Sequence, residues 1–482
     1  MSDYSSAHPI KYAMLFLGPL AMLLTCFVSP PEGMSVEAWR TAGLAFWLAS
    51  WWVSEVVPIP AASLLPLVVS PLADIAPIKS VAAPYAHPLI FLFLGGFLIS
   101  IAMERWGLHK RIALKTMLYA GSKPSVQILA MMLVTAFLSM WMSNTATAVM
   151  MLPIALSVIH LVKERDSSNE AFGKALLLSI AYGASIGGIA TLIGTPPNAL
   201  MAAYLADSYQ IEIGFATWMA VGLPLSVTML FITWFWLTKV SYKVDDSDAE
   251  VDTKTLFKKQ LTKLGDMSRA EKGVLAVFIF AALSWIFRPL LGDWTGLKIS
   301  DTSIAIAAAL MLFVITADKK TGERILDWDS AAKVPWGILL LFGGGLTLAS
   351  QIKSSGLATY IANLLVSADT IPLVVSVLLV AGLITFLTEI TSNTATAAGF
   401  LPLLGPVAES ITGTPLVWVI PAAIAASCAF MMPVATPPNA IVFGSGEIKM
   451  RDMIRAGFVL NIVAIVLITV LTLTVARSVL SF

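Results

Sequence analysis

Charge is scarce in this sequence. Asp, Glu, Lys and Arg together make up 12% of 482 residues, about half the share usual in a soluble globular protein. With 58% hydrophobic residues and a mean hydropathy of +0.85, the composition excludes a soluble domain and specifies a polytopic, all-α membrane protein. The net charge is only +1, and the basic residues sit in loops between apolar segments rather than in one stripe, so a nucleic-acid partner is excluded. Cysteine is nearly absent. Cys26 and Cys428 both lie in apolar segments with no CxxC or Cys/His neighbour, which excludes a disulfide framework and a zinc site and leaves both as buried small hydrophobes. His8, His87, His109 and His160 fall in loops or at span ends, away from any metal or catalytic arrangement. The sequence also lacks HExxH and any cluster of acids and bases at one depth, so a membrane enzyme is not expected. The first apolar segment is followed by SPPEGM without a small-residue cleavage pattern and reads as a retained helix.

What is present is a series of long apolar runs. A helix needs about 20 apolar residues to cross about 30 Å of hydrocarbon. Runs of that kind occur at residues 12 to 30, 38 to 55, 57 to 77, 86 to 104, 174 to 204, 214 to 238, 271 to 290, 301 to 317, 334 to 352, 417 to 446 and 455 to 479, about eleven expected transmembrane helices. Two further runs, 127 to 160 and 371 to 408, are too long for one crossing and are interrupted by a polar SNTAT. Each is expected to be a re-entrant hairpin, because residues 127 to 142 would make a helix only about 24 Å long. A cytoplasmic N-terminus puts 24 of the 30 Lys and Arg residues in cytoplasmic loops, so the positive-inside bias selects that orientation, with the C-terminus outside. The membrane is expected to be the bacterial inner (plasma) membrane. The polar stretch from 242 to 272, with Val251, Leu256, Leu261 and Leu264 at helical spacing, is expected to be a solvated linker helix along the cytoplasmic surface in preference to a lipid-binding element.

The two halves repeat. At a constant offset of 249 residues, Gly107-Leu108 matches Gly356-Leu357, Ser143-Asn144-Thr145 matches Ser392-Asn393-Thr394, and Leu152-Pro153 matches Leu401-Pro402. After a gap of eight residues, GTPPNA at 194 to 199 pairs with ATPPNA at 435 to 440. Matching motifs in one order argue for duplication of a five-span unit. The five crossings between equivalent hairpins insert the second unit upside down, an inverted-topology repeat. The expected organisation is an N-terminal segment with the first helix (1–37), repeat 1 (38–240) with an inward hairpin at 127–160 and a broken helix at 174–204, a cytoplasmic linker (241–270), and repeat 2 (271–482) with an outward hairpin at 371–408 and a broken helix at 417–446.

Paired prolines at 196–197 and 437–438 force a helix break at each site, costing roughly 3 kcal/mol or more per proline in a helix interior. Gly194 is expected to close the first half, with Thr195 as N-cap and Pro196 at the first helical position; Thr436 and Pro437 repeat the pattern. Broken backbone is tolerated at membrane depth only against protein or a wet cavity. The N-termini after SNT and TPPN are expected to offer positive dipole ends and free N–H groups to carboxylate, sulfate or phosphate oxygens. The opposing carbonyls, with Ser, Thr and Asn oxygens, suit a hard monovalent cation such as sodium. No Lys or Arg lies in either hairpin tip or TPPN loop, so a dianion needs bound cations. Glu389, three residues before Ser392, faces Met140 at the matching position of repeat 1 and is expected to be a structural partner rather than a proton carrier. Glu55, near Pro58, is expected to be a solvated or capping residue.

With these motifs in view, the chain resembles the divalent anion/sodium symporter family, whose members carry di- and tricarboxylates or sulfate and share paired SNT motifs in two inverted hairpins. The resemblance implies a homodimer in lipid, with a scaffold and an elevator-like transport domain. Carried onto this sequence, it implies one sodium at Ser139, Ser143, Asn144 and Gly194 and another at Thr388, Ser392, Asn393 and Ala435. It places substrate carboxylates against Asn144, Thr145, Thr195, Asn393, Thr394, Thr436 and Pro437. The expected function is sodium-coupled symport of C4-dicarboxylates such as succinate, with two or more sodium ions co-transported; an exchanger of di- or tricarboxylates, or a sodium/sulfate symporter, is the alternative on the same fold.

Overall fold

A computed structural model describes residues 9–163, 170–246, 253–365 and 371–482. Among these the chain is helical, and the β pairing is a single isolated bridge between Thr316 and Arg324. Prolines and small residues set many of the helix limits. After α1 (Pro9–Phe27) and α2 (Val36–Ser54), capped by Ser35 through the Ala38 amide, the run 57 to 77 carries Pro58, Pro60, Pro66 and Pro71. It divides into α3 (Ile59–Ala62) and α4 (Leu65–Leu72) instead of forming one span. The chain continues through α5 (Ile78–Ala82), α6 (Pro88–Arg105) and the connector α7 (Leu108–Tyr119), which starts beyond a left-handed Gly107.

The first helical hairpin is α8 (Pro124–Ser139) and α9 (Asn144–Lys163), and the first broken helix is α10 (Glu170–Ile189) with α11 (Pro196–Tyr209). Next come α12 (Phe215–Phe235), the linker helix α13 (Thr253–Leu264), α14 (Arg269–Ile286), α15 (Arg288–Thr295), α16 (Asp301–Val314), α17 (Trp328–Ala331), α18 (Trp336–Ser354) and a second connector, α19 (Leu357–Leu365). The second hairpin, α20 (Leu373–Thr388) and α21 (Asn393–Thr412), is followed by the second broken helix, α22 (Leu416–Ala425) and α23 (Pro437–Phe443), and by α24 (Met450–Leu471).

Five described helical stretches are long and apolar enough to cross a membrane: Ile78–Arg105, Asn144–Val162, Glu170–Ile189, Phe215–Ser241 and Met450–Leu480. A sixth possibility is the pair α14 and α15, which bends by 80° just before Pro289. The expected span at 271 to 290 is therefore kinked rather than continuous. The 16-residue α8 matches the expected short hairpin arm, whereas the 20-residue α9 is as long as a full span.

Backbone-to-backbone packing holds the hairpin to the broken helix. A Cβ added to Gly187 of α10 would lie 2.3 Å from the Ala136 carbonyl oxygen of α8, and one at Gly183 would lie 3.0 Å from that of Met132. Small residues one turn apart thus let the two helices approach more closely than side chains would allow. Around the second broken helix, Gly457 of α24 lies against the Phe430 backbone, where a Cβ would come within 2.0 Å of the carbonyl oxygen.

Two expectations are corrected here. Cys26 is exposed rather than buried: α1 turns one face toward α2 and leaves Phe16, Leu20, Leu23, Leu24 and Phe27 on the outer face, as a lipid-facing helix does. The linker helix α13 is docked rather than solvated. Phe257 is fully buried, and Thr253 accepts a hydrogen bond from Gln127 of α8 at 2.6 Å. Beside it, Arg111 of α7 donates to Glu271 at 2.6 and 3.1 Å and to the Gly265 carbonyl at 2.9 Å. Leu256, Leu261 and Leu264 pack against the core as their spacing predicts; Val251 lies outside the described residues.

Candidate anion and cation site

The two hairpin tips and the two helix breaks meet at one cavity of about 660 Å³. All seven residues expected to touch substrate line it: Asn144, Thr145, Thr195, Asn393, Thr394, Thr436 and Pro437. Of those expected to bind sodium, Ser143, Asn144, Gly194, Ser392, Asn393 and Ala435 line the same cavity. Ser139 and Thr388 stand behind the tips, each fully buried. The cavity contains no Lys or Arg.

The two tips share one hydrogen-bond geometry. Ser139 Oγ lies 2.6 Å from Asn144 Oδ1 and 2.8 Å from the Ala184 carbonyl oxygen. Thr388 Oγ1 lies 2.8 Å from Asn393 Oδ1 and 3.0 Å from the Ala426 carbonyl oxygen. In the first tip the Asn144 amide is better satisfied turned over, its nitrogen donating to the carbonyl oxygens of Ala184 and Gly194 at 3.2 Å and to Ser139 Oγ at 2.6 Å. In the second tip the single Thr388 hydroxyl hydrogen faces two acceptor oxygens. Clustered neutral oxygens from hydroxyl, amide and backbone are the donors a hard cation takes. Among the described residues no group of three or more His, Cys, Asp or Glu could hold a metal.

The broken helices are held open by specific side chains. Asn198, in the first TPPN, donates its amide to the carbonyls of Gly188, Ile189 and Thr191 at 3.2, 3.1 and 2.8 Å. Its counterpart Asn439 donates to Ala429 and Met432 at 3.1 and 3.0 Å. These satisfy carbonyls that the breaks leave without intrahelical donors. Contrary to expectation, Gly194 does not close the first half-helix: α10 ends at Ile189, and Gly194 is needed because a Cβ there would lie 2.5 Å from the Gly188 carbonyl oxygen. Thr195 and Thr436 both occupy N-cap positions with proline next. Thr436 Oγ1 accepts the Asn439 amide at 3.2 Å, while Thr195 Oγ1 pairs with Ser427 Oγ at 3.3 Å.

The helix ends differ in what they offer an anion. In both TPPN segments the first two helical positions are prolines without N–H groups. The next amide is spent inside the turn, Asn198 on the Thr195 carbonyl and Asn439 on Thr436 Oγ1. The expectation of free N–H groups there is corrected: those ends present a dipole but few donors. The hairpin helices do present donors. The amides of Asn144, Thr145, Asn393 and Thr394 have no acceptor among the described residues, Ser143 Oγ taking only the Ala146 amide at 3.2 Å.

Glu389 is buried, 3% exposed. Its Oε1 accepts the Phe430 and Met431 amides at 2.8 and 2.9 Å and Asn461 Nδ2 at 2.7 Å, and its Oε2 accepts the Met432 amide at 2.9 Å. It holds three successive backbone N–H groups of the second break, in line with a structural role. Three lining elements escaped the sequence reading: Thr391, whose Oγ1 pairs with Thr396 Oγ1 at 2.6 Å; the apolar wall of Phe93, Phe97 and Ile338; and Val53 to Glu55 at the end of α2. Thr391 carried a signal, lying directly before the second SNT. The histidines take no part in the cavity: His109 Nδ1 bonds the Met103 carbonyl oxygen at 2.9 Å, and His87 caps α6 with Nε2 3.2 Å from Asp207. His160 is exposed on α9 and His8 lies outside the described residues.

The chain is 42% identical over 463 residues to a sodium-dependent dicarboxylate transporter, SdcS, of Staphylococcus saprophyticus, covering 94% of this chain and 89% of the relative. It is 42% identical over the same shares to the protein of that name from Staphylococcus aureus strain RF122. Among solved structures, the YdaH transporter of Alcanivorax borkumensis superposes with a TM-score of 0.59 at 14% identity, covering 97% of this chain and 98% of that one, a likeness of fold. The family model described as the sodium:sulfate symporter transmembrane region matches residues 10–481. With nearly its whole length matched, the chain belongs to that divalent anion/sodium symporter family and is an integral membrane transporter rather than an enzyme.

Proposed function

We propose that the protein imports C4-dicarboxylates such as succinate by sodium-coupled symport across the bacterial inner membrane, the hairpins and broken helices moving together as an elevator. The observation that carries this reading is the convergence of four helix N-termini and two neutral oxygen clusters on one cavity without Lys or Arg. Each helix N-terminus is equivalent to up to about half a positive charge. Four of them come to at most about two charges, less because the TPPN ends lack free N–H groups, so a dianion is not balanced unless a cation supplements them. Sodium ions at Ser139, Ser143, Asn144 and Gly194, and at Thr388, Ser392, Asn393 and Ala435, are substrates that supply this supplement. The free amides of Asn144, Thr145, Asn393 and Thr394 take the carboxylates, with Thr195, Thr436 and Pro437 shaping the wall. The relatives' name, a sodium-dependent dicarboxylate transporter, supports the same cargo.

The matched hydrogen bonds of the two tips support an inverted repeat of the expected organisation, and the clamp of Arg111 on Glu271 supports a connector α7 fixed to the surroundings of α14. With the N-terminus cytoplasmic, the lining residues Val53 to Glu55 at the end of α2 and Ile338 near the start of α18 lie at cytoplasmic helix ends, which supports an inward-facing state. A second copy completes the scaffold as a homodimer in lipid.

The family description names sulfate, which favours a sodium/sulfate symporter as the second reading; an exchanger is the third. Uptake of labelled succinate into proteoliposomes tests all three. The proposed function requires uptake driven by an inward sodium gradient and weakly inhibited by sulfate. Sulfate-blocked uptake points to the second reading, and uptake that needs internal dicarboxylate but no sodium points to the third.

A further inference from the structure

Glu55 is the only ionisable residue among those lining the cavity. It ends α2, is exposed, and its carboxylate has no hydrogen-bond or ion-pair partner among the described residues. Its backbone is left-handed, φ +49° and ψ +31°, with its N–H donated to the Trp51 carbonyl. Glycine or asparagine would hold that helix end at lower cost, so the backbone gives no reason for a glutamate there. A free carboxylate at the wall of an anion cavity acts on its ligand through charge. In a cleft walled by protein its field is focused rather than dispersed.

Resting on the proposed anion transport, we propose that Glu55 is a specificity-determining residue that limits the charge of the anion admitted, disfavouring trianions relative to dianions. The third carboxylate of a tricarboxylate adds one unit of repulsion from Glu55 without adding a fifth helix end to balance it. A mobile, solvated pair of this kind changes the relative affinity by about two- to fivefold, and salt diminishes the effect as the Debye length falls from about 30 Å at 0.01 M to about 8 Å at 0.15 M.

The test is competition against sodium-driven succinate uptake in proteoliposomes at pH 8 and constant sodium, with unlabelled succinate or 1,2,3-propanetricarboxylate as competitor. In Glu55→Gln, the trianion should gain on the dianion by about two- to fivefold at low ionic strength, and the gain should shrink when choline chloride is added. Glu55→Asp should keep the wild-type ratio. Glu55→Asn, suited to the left-handed backbone, carries the same test if the glutamine variant fails to insert. An unchanged ratio in Gln and Asn, or a gain that persists unscreened at high salt, overturns the proposal. Absence of sodium-driven succinate uptake in the wild type would instead overturn the transport reading on which it rests.

Discussion

Replacing Glu389 by alanine tests whether this buried carboxylate is the strut of the second helix break. Its two oxygens accept four hydrogen bonds, from the Phe430, Met431 and Met432 amides and from Asn461. Alanine leaves all four donors without an acceptor, those of Phe430 and Asn461 buried and those of Met431 and Met432 partly buried, at up to about 1–3 kcal/mol each. The sum, roughly 4–12 kcal/mol, is comparable to the whole stability of an ordinary domain, about 5–15 kcal/mol. Glutamine behaves differently. It keeps one acceptor oxygen for the three donors now at Oε1 but turns an NH₂ toward the Met432 amide, and it also removes the cost of burying a charge, which offsets part of the loss. The expected order of stability is therefore wild type, then Glu389→Gln, then Glu389→Ala. Thermal midpoints in detergent, followed by tryptophan fluorescence, should fall for alanine by roughly 8 °C or more, taking about 2 °C per kcal/mol. Sodium-driven uptake should survive in the glutamine variant that remains folded. An alanine variant within about 1 kcal/mol of wild type would refute the strut, since orphaning two buried and two partly buried donors costs more than that. A glutamine variant that is stable but inert would point to a proton-carrying role instead.

Asn144→Asp and Asn393→Asp keep an oxygen for the cation but remove the amide donor and add repulsion to the carboxylate; each should abolish succinate uptake while the protein still inserts, measured by transport and by yield of folded protein. Ser139→Ala removes an oxygen 2.6 Å from Asn144 Oδ1, so the sodium concentration for half-maximal uptake should rise severalfold with little change in the ranking of anions; an unchanged sodium curve would contradict the cation site. Crosslinking an α8–α9 cysteine to one on α18 should stop transport while leaving substrate binding in one state; undiminished transport after complete crosslinking would exclude the elevator.

What could be read from the sequence was whatever the chain states locally and states twice. The paired SNT and TPPN motifs broke the helices where they occur, and the proline pairs placed Thr195 and Thr436 as N-caps. The same prolines deny the TPPN ends the free amides expected of them, a consequence of chemistry already visible in the sequence. Other features depend on contacts between distant segments. The donors to Glu389 lie 41 to 43 residues away for the backbone amides and 72 for Asn461, a distance over which no periodicity speaks. The docking of α13 turns on one residue, Phe257, filling a space against neighbouring helices, whereas its lysine-rich composition alone reads as a solvated face. Cys26 illustrates the opposite error: in a membrane protein an apolar segment has no need to bury every apolar side chain, because lipid accepts the outer face. Glu55 reached the cavity through the packing of α2 beside the hairpins, although in sequence it is only a charge three residues before a proline.

The central claim is that sodium and the anion share one site and strengthen each other's binding. Because the tip oxygens and the free amides belong to the same residues, an empty cation site leaves the tips loosely held and the dianion opposed only by dipoles, and linkage makes the coupling reciprocal. Isothermal titration of the purified protein with succinate, at fixed ionic strength in sodium and then in potassium, tests this most directly. Affinity at least about tenfold higher in sodium, a coupling of about 1.4 kcal/mol, is the expected result; equal succinate affinity in the two buffers would contradict sodium-coupled symport.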